Sequence, residues 1–377
     1  MVVEDEDIWG AGDEEVTRIP EGWKHIDLPT GSIDLRPNSS LAVEDGTLWI
    51  AGSTLKIAQY QWVLRAPGIE EPTQHIYDPG RVIRISSNGT GGISAVGVLG
   101  GIPSDNAWFG NIDAFGEVSS RQTYLSDGDG RLVNLDTDGD NLILSGTVAA
   151  GVDMKGWLIA ADSGGSDKWK MKYGGGGNHE MAWVDARPDS TVAVGRFRAD
   201  SGTDQAWYVR TDKDGNIAAE RHWAPKTWTG LKTGVSHPTG DVIAVGLVAE
   251  TELGPDDGDA SLWIGRLTPK GNASWDRFER DDVSAISPAV AWKGGMALVA
   301  RTGAIGTVDR RTWLVRCSDN GDVSWSELGV PDDIDLAEVH AINEETLQFV
   351  AVMSDKEGVS WTSYPLVLKD EEPASEP

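Results

Sequence analysis

Three groups of residues in this sequence could do chemistry. In the run Asp136-Thr137-Asp138-Gly139-Asp140-Asn141, the carboxylates of Asp136, Asp138 and Asp140 alternate around a glycine. Acidic oxygens at every second position are a reasonable start for a Ca²⁺ loop. An EF-hand would need a glutamate seven residues after Asp140, where Thr147 stands inside an apolar run. The chain carries a tight turn at each comparable place, so a hairpin is the plainer reading. Ca²⁺ is the one cofactor that this stretch suggests. Asp212-x-Asp214-Gly215-Asn216 is read the same way.

The second group, His179 and Glu180, follows the glycines Gly174 to Gly177. No Lys-Ser or Lys-Thr follows, as a phosphate cradle requires. The glycines therefore read as a crossover between sheets, and His179 and Glu180 as the first choice for a polar binding site. The third group is one acidic loop with Glu250, Glu252, Asp256, Asp257 and Asp259. It would attract cations or a basic partner, against the plainer reading of a solvated loop. The histidines (25, 75, 179, 222, 237 and 340) show no metal-ligand spacing, and neither His-Glu-x-x-His nor a Gly-x-Ser-x-Gly elbow occurs. No catalytic residue is assigned. Cys317 is the only cysteine, so no intramolecular disulfide can form, and its run Trp313-Leu314-Val315-Arg316-Cys317 reads as a strand.

Charge narrows the partners. Sixty acidic residues face 32 basic ones, a net charge of −28. Phosphate recognition needs a basic surface, so nucleic acid is excluded as a general partner and an anionic membrane is disfavoured. No apolar run approaches the 18 residues of a membrane span. Met1 to Glu15 is acidic and lacks the basic and apolar regions of a signal peptide, so the expectation is cytoplasmic, or exported if a leader was removed.

These residues must be positioned by a repeat. Trp62, Trp108, Trp157, Trp207, Trp263 and Trp313 each open a short apolar run, at separations of 46, 49, 50, 56 and 50, with Tyr364 as the seventh place. A small-residue run precedes each, as in Val194-Gly195 and Val245-Gly246. Gly-, Asn- and Asp-bearing turns separate four short strands per unit, a to d from the inside outward. Four-stranded units of this length match propeller blades. The last unit has strands a (336–342), b (347–353) and c (364–369) and no fourth. The segment 22–28, Trp23-Lys24-His25-Ile26-Asp27-Leu28 at its centre, alternates like an outer strand and has no blade of its own. The expectation is an all-β, seven-bladed β-propeller of four-stranded antiparallel blades. Residues 22–28 would supply the last outer strand and close the ring, which removes open sheet edges. Residues 16–369 form one domain between acidic disordered ends, 1–15 and 370–377.

The run Trp169-x-x-x-Tyr173-Gly174-Gly175-x-Gly177, with Ala182 and Val194-Gly195, resembles the bacterial and archaeal propeller repeat built on W-x-x-x-Y-G-G-x-G. Asp319-Asn320-Gly321-Asp322-Val323-Ser324-Trp325 and Pro269-Lys270-Gly271-Asn272-Ala273-Ser274-Trp275 are similar to the tryptophan-docking repeats of quinoprotein-like propellers. The resemblance implies blade packing and covers both binding scaffolds and quinone-dependent dehydrogenases. The cofactor and metal residues of those enzymes cannot be placed here.

Strand alternation puts the b–c and d–a connections on one face. The long b–c loops are read as Leu99–Ala107, Val148–Gly156, Phe197–Ala206, Leu247–Leu262 and Thr302–Thr312. Loops on a rigid frame are where binding resides. The functional expectation is a non-catalytic scaffold that binds a protein or small ligand on this face, as a monomer or as a subunit of a complex. The alternatives are an enzyme with a site at the central channel, and a lectin-like surface-binding module.

Overall fold

The computed structural model describes residues 24–27, 34–55, 59–66, 71–100, 105–125, 128–139, 141–251, 259–304, 307, 310–331, 334–354 and 358–367. Regular structure among them is entirely β. A first short strand, β1 (Lys24–Asp27), is followed by sets of four antiparallel strands. The first set is β2 (Asp34–Ala42), β3 (Leu48–Leu55), β4 (Gln59–Ala66) and the opening half of β5 (Thr73–Ser87). The rest of β5 begins the second set, with β6 (Ile93–Leu99), β7 (Asn106–Ile112) and β8 (Val118–Tyr124). The third is β9 (Gly130–Asp138), β10 (Asn141–Ala150), β11 (Asp153–Ala161) and β12 (Asp167–Tyr173). The fourth is β13 (Asn178–Arg187), β14 (Ser190–Arg198), β15 (Asp204–Asp212) and β16 (Ile217–Trp223). In the fifth, β17 (Trp228–Ser236), β18 (Val242–Ala249) and β19 (Ala260–Leu267) pair on to the first part of β20 (Ala273–Ile286). The end of β20 and β21 (Val290–Trp292) together form the first strand of the next set, before β22 (Gly295–Thr302), β23 (Arg311–Cys317) and β24 (Val323–Leu328).

The last set is β25 (Leu336–Ala341), β26 (Thr346–Ser354) and β27 (Gly358–Val367), and its fourth strand is β1. Lys24 pairs with Trp361 and Asp27 with Gly358. The described part of the segment 22–28 therefore lies on the outer edge of the last sheet, as its alternation predicts. The first strands of successive sets touch one another in a closed circuit that returns from β25 to β2. Apolar clusters fill the gap between each pair of neighbouring sets, and one of them joins Ile50, Trp62 and Leu64 to Val350, Val352 and Trp361. A sheet buried on both faces needs a neighbour on each side, and the circuit supplies one to every sheet.

One device recurs. Trp62, Trp108, Trp157, Trp207 and Trp263 pair across the second and third strands with Gly52, Gly97, Gly146, Gly195 and Gly246. A Cβ on these glycines would fall on the carbonyl oxygen of Arg36, Arg81, Arg131, Glu180 or Gly230, beside a bulge in the first strand. A second device joins neighbouring sheets. The hydroxyls of Tyr77, Tyr124 and Tyr173 donate to the Gly116, Gly165 and Gly215 carbonyls of the next sheet's outer turn, at 2.8, 2.6 and 2.7 Å. Gly165 and Gly215 have φ of +91° and +85° and lie against Phe109 and Trp169. Trp169 Nε1 also donates to the Lys213 carbonyl of that turn, at 2.9 Å.

Three expectations need correction. Opposite Ala351, at the place of the tryptophan in the last sheet, stands Thr362, while Tyr364 lies two residues further on against Phe349. The third strand there starts at Gly358, well before Tyr364, and carries a threonine where the earlier sheets carry a tryptophan. Val148–Gly156 is no loop: β10 and β11 pair through to Ala150 and Asp153, leaving only Gly151 (φ +69°) and Val152 as the turn. Likewise the pairing of Phe197 with Gln205 and of Arg198 with Asp204 takes in both ends of the expected loop 197–206.

Tyr173→Phe should therefore cost about 1–2 kcal/mol in urea unfolding, since it orphans a buried carbonyl. Gly165→Ala should cost at least as much, because an alanine is strained at that φ and its Cβ would meet the Phe109 ring.

Candidate functional site

The register defines one end of the sheets, where first and third strands begin and second strands finish. Asn178 pairs with Arg198, and Arg198 with Asp204. At this end, charged side chains from the third, fourth and fifth sets meet. Glu180, the third residue of β13, ion-pairs with Arg131 of β9 (3.5 Å) and Arg196 of β14 (3.1 Å). Arg196 also reaches the buried carboxylate of Asp204 at 3.5 Å, and its guanidinium lies over Trp228 of β17, 5.8 Å from the ring centre. The Lys232 ammonium is 5.4 Å from the same ring. Burial holds the Asp204 carboxyl above the ordinary carboxylate range, and the nearby Arg196 and Arg198 oppose that shift. Arg131, Glu180 and Arg196 remain partly solvent-accessible, at 42%, 33% and 26% of their side chains. Long cations tethered by shared carboxylates are pre-ordered yet able to face a partner. Arg81, at the same place in β5, pairs with Asp105 at 3.7 Å.

Of the residues singled out from sequence, Glu180 lies in this network. His179 does not sit on a loop. It is the second residue of β13 and is 2% exposed. Its ring stacks on Phe197 at 4.3 Å and meets the edge of Trp207 at 4.8 Å. Burial lowers its pKa, with Lys155 and His222 adding to the effect. Glu250 is exposed and 3.6 Å from Lys226, and Asp259 is exposed just before β19. Glu252, Asp256 and Asp257 lie outside the described residues, as does Asp140. Asp136 accepts a 2.8 Å hydrogen bond from the Ala186 backbone of the next set, and burial raises its pKa to about 6. Asp138 closes the β9–β10 hairpin opposite Asn141. Among the described residues no group of three or more His, Cys, Asp or Glu is placed to hold a metal. Arg131, Arg196 and Asp204 went unmarked in the sequence, although Arg36, Arg81, Arg131 and Glu180 occupy one place in successive repeats, and aligning them there would have exposed the set.

A second polar cluster was also missed, where the ring closes. Ser40 of β2 donates through its backbone N–H and its hydroxyl to Glu338 Oε2 of β25, both at 2.6 Å, and its oxygen is 2.9 Å from His340 Nε2. Arg84 of β5 donates to Glu338 Oε1 at 3.0 Å. The arrangement has the members of a Ser-His-acid set but not its wiring. The single hydroxyl proton is directed to the carboxylate, so His340 Nε2–H is the donor to Ser40 and cannot act as its base. Ser40, Glu338 and His340 are all buried. The cluster ties the last set to the first two.

No protein-family model matches this chain, and no curated protein matches it. Solved structures do. The BBS1N–ARL6DN complex soaked with lead aligns at a TM-score of 0.53 with 10% identity, covering 92% of this chain and 98% of that one. Puromycin hydrolase aligns at 0.52 with 13% identity, covering 92% of this chain and 55% of that one. A catalytically inactive virginiamycin B lyase from Staphylococcus aureus, bound to quinupristin, aligns at 0.48 with 14% identity and covers 90% and 98%. These neighbours are propeller-type proteins, and at such identities the likeness is one of fold. Of the two that align above 0.5, one is a hydrolase and the other is in complex with a second protein. Among the described residues no helix is long and apolar enough to cross a membrane.

Burial holds His340 neutral, with a pKa lowered to about 4 against Glu338, which raises it. An unfolded histidine protonates near 6.5. As pH falls from about 6.5 to 4, the unfolded chain takes up a proton that the folded chain refuses, so stability should drop across that window. His340→Gln should flatten this part of a pH–stability profile measured by urea unfolding.

Proposed function

We propose that the chain is a single seven-bladed β-propeller domain, residues 16–369, that works as a non-catalytic interaction scaffold. In this reading it belongs with the tryptophan-docking repeats that its Trp-x-x-x-Tyr-Gly-Gly run resembles. The tyrosine-to-glycine hydrogen bonds between sheets support that placement. Its partner is a protein bound on the b–c and d–a end of the sheets. The observation that carries the reading is the Arg131–Glu180–Arg196–Asp204 network. It draws on two neighbouring sheets, with Trp228 of a third beneath it, and is half-open to solvent. Tethered arginines beside a tryptophan are the composition of interface anchors. The acidic stretch with Glu250, Glu252, Asp256, Asp257 and Asp259 follows β18 and precedes β19 in the chain, and the paired ends of those strands are at this end of the sheets. It would act at longer range, raising the encounter rate of a basic surface.

The enzyme reading, supported by neighbours such as puromycin hydrolase, would need a nucleophile and base open to substrate. Ser40 and His340 are sealed and bonded the other way round.

Capture of partners from a lysate of the source organism separates the contributions. Arg131→Glu with Arg196→Glu should weaken retention at least tenfold at low salt. Neutralising the five loop carboxylates should slow association and reduce its salt dependence. Undiminished retention by the double arginine variant, with its melting curve unchanged, would remove this network from the interface.

A further inference from the structure

At the junction of the fifth and sixth sets the repeat breaks its own pattern. Glu279 pairs with Leu262 where Tyr173 pairs with Gly156 in the third set. The next residue, Arg280, takes the place of Gly174. Gly174 has φ of +108°, and Arg280 also has a left-handed backbone, at +43°. A glycine adopts this conformation freely and an arginine does not. Strain of this kind persists only where the surroundings enforce it.

What holds Arg280 there is a pair of tryptophans. Its guanidinium carbon lies 4.3 Å from the ring centre of Trp313 and 5.3 Å from that of Trp325. The two rings meet at 78° with centres 6.2 Å apart, so they form two walls of a corner. They come from adjacent strands, because Trp313 pairs with Glu327 and Trp325 with Val315. Asp282 clamps Arg280 from outside with two bonds, Nε to Oδ1 at 3.1 Å and Nη2 to Oδ2 at 3.2 Å. Glu327, beside Trp313, pairs with Arg311 at 3.0 Å. At the equivalent interfaces Trp157 and Trp207 are almost fully buried, whereas Trp313 and Trp325 are only partly so.

Two tryptophan faces at right angles with carboxylates at the rim make an aromatic cage for a cation. We infer that Trp313, Trp325 and Asp282 form a binding site for a quaternary ammonium group, and that Arg280 is a stand-in cation which fills it when no ligand is present. An incoming ammonium would take over the two ring faces and the Asp282 carboxylate, and would free Arg280 from its left-handed conformation. The site lies at the same end of the sheets as the arginine network. It rests on a different observation, so either can fail alone. Two sources carry this chemistry, a free quaternary amine and a trimethylated lysine side chain.

The test opens the cage. Arg280→Gly removes the occupant and suits the backbone, and Arg280→Asn does the same with a residue that tolerates positive φ. Binding of tetramethylammonium chloride, followed by tryptophan fluorescence and calorimetry on the full chain, should be at least tenfold tighter for both variants than for wild type. Adding Trp325→Leu to Arg280→Gly should abolish the gain. A peptide with one trimethyllysine that binds tighter than tetramethylammonium, while its unmodified form does not bind, points to a protein source; equal affinities point to a free amine, and both results support the cage. Variants that keep the wild-type melting curve and bind no tighter than wild type would overturn it. Should both variants unfold, the wild-type protein decides the matter. Saturating tetramethylammonium should shift the Trp313 and Trp325 indole resonances, and unshifted indoles would overturn the site.

Discussion

Flat aromatic side chains lying against glycine turns of the next sheet hold this molecule together. Each four-stranded sheet is apolar on both faces and cannot exist alone in water. Phe109 against Gly165 and Trp169 against Gly215 give two faces a partner. The hydroxyls of Tyr124 and Tyr173 fix the register of the same contacts. Positive φ at those glycines is what lets the turn approach so closely. A chain of such contacts has no natural end unless it returns to its start. The packing of Trp62 on Val350 and Trp361, and the Ser40–Glu338–Arg84 cluster, make that return.

The same constraint explains which parts of the fold were legible in the sequence. A tryptophan opposite a glycine is written plainly at Trp157 and Gly146 or at Trp207 and Gly195, where a Cβ on the glycine would fall on the bulged first strand behind it. The outer strand supplied by the opening segment was legible from its alternation and from the missing strand at the other end. Loop lengths were not. Val148 to Gly156 reads as a loop because its residues are small or charged. The strands nevertheless run on past the apolar core, held there by backbone pairing that carries no side-chain signature. Tyr364 was misplaced because Thr362 holds the place of the tryptophan in the last sheet and gives no aromatic signal.

Site residues were harder to read, for a physical reason. His179 looks like a ligand beside four glycines, yet a Cβ at Gly174 would fall on its imidazole, so the missing side chain is what admits the ring to the core. Glu180, its neighbour, points the other way in the strand and joins Arg131 and Arg196. One residue of register separates a core residue from a surface ion pair. Asp136 has the spacing of a metal ligand and instead accepts a backbone hydrogen bond from the adjoining sheet. Arg280 gives no sign in the sequence. Its meaning comes from a left-handed backbone and two tryptophans on another sheet.

Ring closure by the opening strand is the claim that fixes the number of sheets and the face on which every loop emerges. His25 lies opposite Ser360 across β1 and β27. With Cys317 replaced by alanine, His25→Cys together with Ser360→Cys should oxidise to an intramolecular disulfide in the folded monomer, because opposed strand residues fall within bridging distance. The bridged protein should resist urea better by roughly 3–5 kcal/mol, as expected when a very long loop is closed. Failure of the pair to bridge in a folded monomer, with both thiols still free to alkylation, would contradict the account.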